Sequence, residues 1–296
     1  MRKPDLVYIL GSGSRWRNNE IRYSLRSVER NMPDRRVFII GECPEWMTGV
    51  IHIPVPDSSN NKLLNARAKY LAAAKDPRIT PDFVLMNDDF FVLKPIEGDV
   101  PAYSRGTLKE MMDRHPTKGG YYYKSLKDTR DVLNVMGIFE PIDFEIHAPI
   151  TFNKEKLIAT IELIGTEKAY DIRSCYGNLN ELEPVNTIDF KASKLSEFIY
   201  QLNQDSPYLS ISDSLVARQE FRDWIRRTFS DPSKYETDRG AGSDVLPGAP
   251  VGCMRYYAKK SFTYDKKRYS IGEIIGGEVM DDLRNDPAMA DCYELK

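Results

Sequence analysis

Phe83-Val84-Leu85-Met86-Asn87-Asp88-Asp89-Phe90-Phe91 is the stretch on which the reading of this chain turns. Its apolar run breaks into Asn-Asp-Asp, and two aromatics follow at once. A short apolar run of this length predicts a buried strand. Open α/β sheets gather their ligands outside the carboxyl ends of strands, where Asp88 and Asp89 then fall. Adjacent carboxylates repel each other unless a cation or base lies between them. The stretch points to a divalent metal, ligated by Asp88 and Asp89, that holds a nucleotide diphosphate. Read as local structure only, it is equally an Asx-type turn capping a strand, with solvated carboxylates.

The segments before it alternate. Leu6–Leu10 reads as a first strand, and Gly11-Ser12-Gly13-Ser14 after it is a small-residue loop whose backbone N–H groups can approach a ligand closely. Ile21, Leu25 and Val28 recur at helical spacing across Asn18–Arg30, and Arg22 and Arg26 share another stripe of that helix. Val37–Gly41 and Val50–Pro54 read as the second and third strands. Asp57-Ser58-Ser59-Asn60-Asn61 caps a helix from Lys62 to about Ala74, whose start is crowded with the donors Lys62, Asn65, Arg67 and Lys69. Strands alternating with helices predict a largely parallel α/β sheet.

Beyond Lys94-Pro95 the pattern loosens. Gly119–Tyr123 looks like a strand, Phe144–Ile150 is extended, Asn153 caps a helix over Lys154–Ile164, and Tyr208–Asp213 precedes a helix over Ser214–Phe229. Gly240–Pro250 reads as a linker between a domain at 1–239 and a small appendage at 251–296, in which Phe262–Tyr264 and Lys267–Tyr269 form a hairpin and Glu278–Leu283 a helical turn.

Composition narrows the function. With 41% apolar and 29% charged residues, the chain has the make-up of a soluble globular protein. A net charge of −2 supplies no positive field to draw nucleic acid or anionic lipid. The apolar run before Gly11 is too short for a signal peptide or membrane span. Cys43, Cys175, Cys253 and Cys292 form no CxxC pair, and with three histidines a His-rich metal site is not expected. Free thiols and no leader predict a cytoplasmic protein.

Several segments, in order, resemble the Stealth family of sugar-phosphate transferases, built on a GT-A-like nucleotide-sugar fold. They are Glu20–Glu29, Val37–Gly41, Pro44-Glu45-Trp46, Asn87–Phe91, His147-Ala148-Pro149, Ser210-Ile211-Ser212-Asp213 and Pro232-Ser233-Lys234-Tyr235. The resemblance covers most of 5–236; it departs from the family at Leu10–Ser14 and is weak around Arg173. The tail after Gly240 lies outside it and looks instead like small C-terminal modules of phage-type proteins, a resemblance that implies a bacterial or phage-infected cell.

The resemblance implies a Rossmann-like, mostly parallel central sheet flanked by helices. It implies Mg²⁺ or Mn²⁺ on Asp89, with Asp88 beside it, against the diphosphate of a nucleotide sugar such as a UDP-sugar; hard oxygen ligands suit those ions. Asn87 would orient a carboxylate or bond the ribose. Gly11 and Ser12 would offer backbone donors to the nucleotide, and Arg22, Lys62 and Arg67 are candidate phosphate contacts, with Asn65 among the donors beside them. His147 would take a proton from an acceptor hydroxyl. Arg173 would stabilise phosphate charge, or else pair with Asp171 or a neighbouring acid. Asp213 would be a metal ligand, a base or an N-cap. The expected reaction is transfer of a sugar, or alternatively of a sugar phosphate, to a hydroxyl on a glycan, a small molecule or a modified DNA base, with no membrane partner. A carbohydrate- or nucleotide-binding module without chemistry is the competing reading.

Overall fold

A computed structural model describes residues 2–11, 14, 16, 18–115 and 119–237 and, beyond them, the backbone of five short strands between 256 and 295. The alternating half folds as β1 (Asp5–Leu10), α1 (Asn19–Asn31), β2 (Val37–Gly41), β3 (Ile51–Ile53), α2 (Lys62–Lys75) and β4 (Asp82–Asn87). The looser half continues as β5 (Phe90–Val92), β6 (Tyr103–Ser104), α3 (Leu108–Arg114), α4 (Tyr121–Val135), β7 (Ile150–Asn153), α5 (Lys154–Ile164) and α6 (Ile172–Leu179). Then come β8 (Val185–Asn186), β9 (Lys191–Ala192), α7 (Leu195–Asn203), β10 (Tyr208–Ile211), α8 (Asp213–Val216) and α9 (Gln219–Thr228).

The central sheet has five strands in the order β3-β2-β1-β4-β7, the first four parallel and β7 antiparallel at the edge. The expected α/β class, a mostly parallel sheet flanked by helices, is therefore the one observed. Strand alternation sorts side chains to two faces. Leu6, Tyr8, Leu10, Val84 and Met86 pack on one face with Ile21, Leu25 and Val28 of α1. Val7, Phe38, Ile40, Phe83 and Leu85 pack on the other with α2, α5 and α6. β1 and β4 read as near-continuous apolar runs because both faces are covered.

A second, three-stranded sheet, β5-β10-β9, stands beyond the Asn-Asp-Asp turn, β10 running antiparallel to β5 and parallel to β9. It carries Phe91, Leu209 and Ile211 into a third apolar cluster with Trp16, Tyr23 and Phe221.

Three segments differ from expectation. Tyr121–Tyr123 opens helix α4 instead of forming a strand. The three aromatics suggest a strand by propensity, but Leu126 and Leu133 lie seven apart on one face and pack against Leu108 and Met112 of α3. The helix expected over Ser214–Phe229 divides into α8 and α9, and Arg222 Nη1 donates to the carbonyl of Val216 at the break. Of Phe144–Ile150 only Ile150 belongs to a strand.

The caps at Asn61 and Asn153 form as expected, each side chain accepting from the first turn of its helix. In the tail β12 (Phe262–Tyr264) and β13 (Lys267–Tyr269) make the expected hairpin, while β11 (Tyr256–Ala258) pairs with β14 (Ile274–Ile275) and β15 (Tyr293–Leu295). The linker at 240–250 and the turn at 278–283 lie outside the described residues. No helix among the described residues is long and apolar enough to cross a membrane.

Candidate active site

β4 ends at Asn87 and the chain turns through Asp88 and Asp89 into β5, so both carboxylates sit at the carboxyl edge of the main sheet. Ser210 Oγ of β10 donates to Asp89 Oδ2 at 2.6 Å. Burial, then the Asp89 and Glu20 carboxylates beside it, push the Asp88 carboxyl up to about 8. Glu20, on the first turn of α1, is buried, which raises its own pKa, and Ser14 Oγ donates to both of its oxygens. The Asn87 Oδ1 is buried with no partner among the described residues.

Unneutralised carboxylates with a free amide oxygen form a hard-oxygen donor set that suits Mg²⁺ or Mn²⁺. Among the described residues no group of three or more His, Cys, Asp or Glu side chains could hold a metal by itself. The fit is therefore to an ion that takes one or two carboxylates and completes its shell with substrate phosphates and water.

Along the edge of the small sheet, Ser210 is the register partner of Lys191 in β9. Lys191 Nζ lies 3.3 Å from His147 Nε2, and on the far side of the ring His147 Nδ1 lies 2.9 Å from Asp189 Oδ2. The His147 imidazole is about 30% exposed. Asp189 also accepts from the His147 backbone N–H at 3.1 Å and from Arg105 Nη1 at 3.0 Å. Burial opposes the charge on Asp189, but the His147 hydrogen bond and the Arg105 charge outweigh it and hold the carboxyl well below the usual range. Arg105 is itself gripped by Asp143 through Nε at 2.9 Å and by the Tyr122 hydroxyl at 2.7 Å.

A cavity of about 360 Å³ opens beside this network, lined by His147, Arg105, Tyr121, Tyr122, Glu145 and Asp171 among others. That volume is in the range of small-molecule sites. Burial raises the pKa of both Glu145 and Asp171. Arg105 is already engaged by Asp143 and Asp189, so the walls favour neutral hydroxyl groups over anions.

Arg173 stands elsewhere than expected. It is 3% exposed, and Nη1 donates to the carbonyls of Ile146 and Ala148, at 2.8 and 2.7 Å, which flank His147. Its backbone N–H donates to Glu145 Oε1 at 2.9 Å, so Glu145 caps α6 where the N-cap Asp171 side chain makes no cap bond. Arg173 therefore holds the His147 segment and forms no ion pair with Asp171.

The basic residues read as phosphate contacts are also largely committed to the fold. Arg22 is 1% exposed, stacks 4.0 Å over Trp46 and donates to Glu236 at 2.7 Å. Asn65 clasps Ser59 through both side-chain atoms, and Arg67 donates to the carbonyls of Thr166 and Lys168. Arg22 and Arg26 share a helix face that packs, so their i, i+4 spacing records only that the face is shared. Lys62 is exposed at the first position of α2.

Gly11 is half-buried at the end of β1, where a Cβ would come within 3.2 Å of Asp57 Oδ2, and Asp57 is paired at 2.5 Å with the buried Lys69. Ser12 lies outside the described residues. Asp213 is exposed at the start of α8, close enough to Glu20 to raise its pKa. The structure thus gathers Asn87, Asp88, Asp89 and Asp213 with Glu20, links them to His147 through the Ser210–Lys191 register, and turns Arg22, Asn65, Arg67 and Arg173 to structural work.

Comparison with known proteins agrees with the resemblance seen in the sequence. The capsular polysaccharide phosphotransferase SacB of Neisseria meningitidis serogroup A is 30% identical over 118 residues, a match spanning 36% of this chain and 22% of SacB. The chain therefore corresponds to about a fifth of that relative's length. No protein-family model matches the chain. Backbone comparison finds the galactosyltransferase LgtC, solved with donor and acceptor sugar analogs, at a TM-score of 0.44 and 9% identity, covering 81% of this chain and 99% of LgtC. It also finds the glycosyltransferase GlyE of Streptococcus pneumoniae TIGR4 at a TM-score of 0.40 and 14% identity, covering 77% of this chain and 60% of GlyE.

Asp189, Lys191 and Arg105 carry no motif, and Glu20 opens the family-like segment 20–29 without being read as a site residue. Alternation could have found Asp189 and Lys191, because they flank the buried Phe190 and so share the opposite face.

Proposed function

We propose that the chain is a nucleotide-sugar-dependent transferase that moves a sugar from its donor to a hydroxyl acceptor, with residues 1–239 as the transferase domain and 251–296 as an appendage. The observation that carries this reading is an acidic strand end and a partly exposed histidine joined through the Ser210–Lys191 register. Asp89, with Asp88, would hold Mg²⁺ or Mn²⁺ together with the donor diphosphate. The metal supplies Lewis-acid neutralisation of charge on the leaving nucleotide. Gly11 and Lys62 lie at the edges where the donor would run, at the end of β1 and the start of α2.

The acceptor enters the cavity beside His147, and Arg173 fixes the two carbonyls that position the imidazole. Glu145 and Asp171 on the cavity wall, with a net charge of −2 overall, favour a glycan or small neutral acceptor over a hydroxylated base in polyanionic DNA. The similarity to SacB favours a second reading, in which attack falls on the β-phosphorus and a sugar phosphate is transferred.

A panel of UDP-, GDP-, CDP- and TDP-sugars with Mn²⁺ and mixed glycan acceptors tests both. Release of nucleoside diphosphate means glycosyl transfer; release of monophosphate means sugar-phosphate transfer. No release across the panel, with nucleotide bound as tightly by Asp89→Ala as by the unaltered chain, leaves a binding module.

A further inference from the structure

Asp189 and Lys191 come from a stretch with no motif, yet they meet the same imidazole from opposite sides. The geometry assigns the hydrogens of that ring. An ammonium donates and has no lone pair, so the nitrogen facing Lys191 Nζ at 3.3 Å, Nε2, carries the ring lone pair. The ring hydrogen is then on Nδ1, directed at the Asp189 carboxylate at 2.9 and 3.1 Å. Asp189 is in turn fixed by hydrogen bonds from Arg105 Nη1 and the backbone N–H of His147, while its own carbonyl accepts from Gln201 Nε2 at 2.6 Å. A carboxylate tied down on this many sides can orient a ring without taking its proton.

We infer that Asp189 is the positioning residue that sets His147 as a base through Nε2, and that Lys191 covers that lone pair until an acceptor hydroxyl replaces it. This rests on the transferase reading above. In the transfer step the acceptor O–H bond breaks and its proton passes to His147 Nε2. The acceptor oxygen bonds to the transferred group, and the bond from that group to the nucleotide breaks, its electron pair leaving with the nucleotide. The imidazolium then returns its proton to water. Lys191, displaced from Nε2, remains in β9 next to Ser210, on the side where the donor's charge leaves.

The test reads the ring directly. The chain is labelled with nitrogen-15 histidine, and with three histidines in the sequence the His147→Asn variant assigns the His147 signals by their loss. Proton–nitrogen correlation is expected to show a pyrrole-type Nδ1 and a pyridine-type Nε2; an Nε2–H tautomer overturns the inference, whatever the activity. Lys191→Met is expected to leave Nδ1 protonated and to move the Nε2 resonance, and an unmoved Nε2 overturns the part assigned to Lys191.

Asp189→Asn is expected to shift the ring toward the Nε2–H form and lower kcat by ~10²–10⁴-fold, with the donor KM changed less than about threefold. Wild-type kcat in that variant overturns the inference. If Asp189→Asn does not fold, the wild-type and Lys191→Met spectra decide. If the unaltered chain turns over no donor, the transferase reading fails while the tautomer measurement still stands or falls by itself.

Discussion

Ser210 and Lys191 are register partners in a parallel strand pair, and they serve opposite halves of the site: Ser210 Oγ grips Asp89, and Lys191 Nζ faces His147. Adjacent strands lie about 4.8 Å apart, so the carboxylate that would hold the donor's metal and the imidazole that would take the acceptor's proton are set by one short sheet. This short bridge explains how residues distant in sequence, such as Asp89 and His147, serve one reaction.

Ser210→Ala removes the hydrogen bond that orients Asp89. It should weaken metal-dependent donor binding about fivefold, matching a net hydrogen-bond contribution of ~1 kcal/mol. Asp89→Ala should abolish it. Titration calorimetry with UDP, with and without Mn²⁺, measures both, and equal affinity in all three proteins would rule out Asp89 as a metal ligand.

The raised Asp88 carboxyl gives a pH signature. Its ordinary value is 3.8 and burial with like-charged neighbours lifts it to about 8. The folded state therefore holds the proton more tightly than the unfolded one, and this contribution to stability is full below about pH 4 and lost as pH rises toward 8. Metal-free protein should melt progressively lower over that window. Asp88→Asn should flatten the decline, and so should saturating Mg²⁺. A melting temperature that does not fall between pH 4 and 8 would remove the basis for a strained carboxylate pair.

Glu236 works in the opposite sense. Burial raises its pKa, but hydrogen bonds from Arg26, the Ser233 backbone and Arg22 outweigh that and bring it from 4.5 to about 2. Its stabilising contribution is present above pH 4.5 and lost as pH falls toward 2. Glu236→Ala leaves two arginines without their acid and should cost about 3–5 kcal/mol in urea unfolding at neutral pH. A loss below about 1 kcal/mol, the worth of an exposed pair, would show that this one is not a structural clasp.

His147→Ala should leave donor affinity within about threefold and lower kcat by ~10²–10⁴-fold, the usual range for a general base. Arg173→Lys keeps the charge but loses the guanidinium whose Nη1 holds both flanking carbonyls. It should cost about 10–100-fold in kcat through misplacement of the ring, again with donor affinity intact. Loss of donor binding in Arg173→Lys would return that residue to the phosphate site.

The main sheet was legible because β1, β2 and β4 are covered on both faces and so read as apolar runs, and because Asn61 and Asn153 announce their helices. The acidic turn after β4 was legible for the same reason: polar residues interrupt a run at its carboxyl end. Tyr121–Tyr123 misled because aromatic triples satisfy strand propensity, whereas the leucines that decide for helix lie further on. Arg22 and Arg173 misled because a charge in sequence reads as exposed, and only the fold supplies the Glu236 carboxylate and the carbonyls that bury them. Alternation around Phe190 marks the face that Asp189 shares with Lys191, but not the ring that Asp189 serves. Its partner His147 is 42 positions away, and nothing local marks a carboxylate that serves a distant ring.

Glu236 also links segments far apart along the chain. It meets Arg22 across 214 positions and Arg26 across 210, while the neighbouring Thr237 N–H reaches the carbonyl of Trp46. Helix α1 and the segment 229–237 must therefore be inherited together. A recombinant that drew α1 from this chain and that segment from a relative lacking the acid would bury arginine charge with no counterion, and it would fail before any substrate was offered.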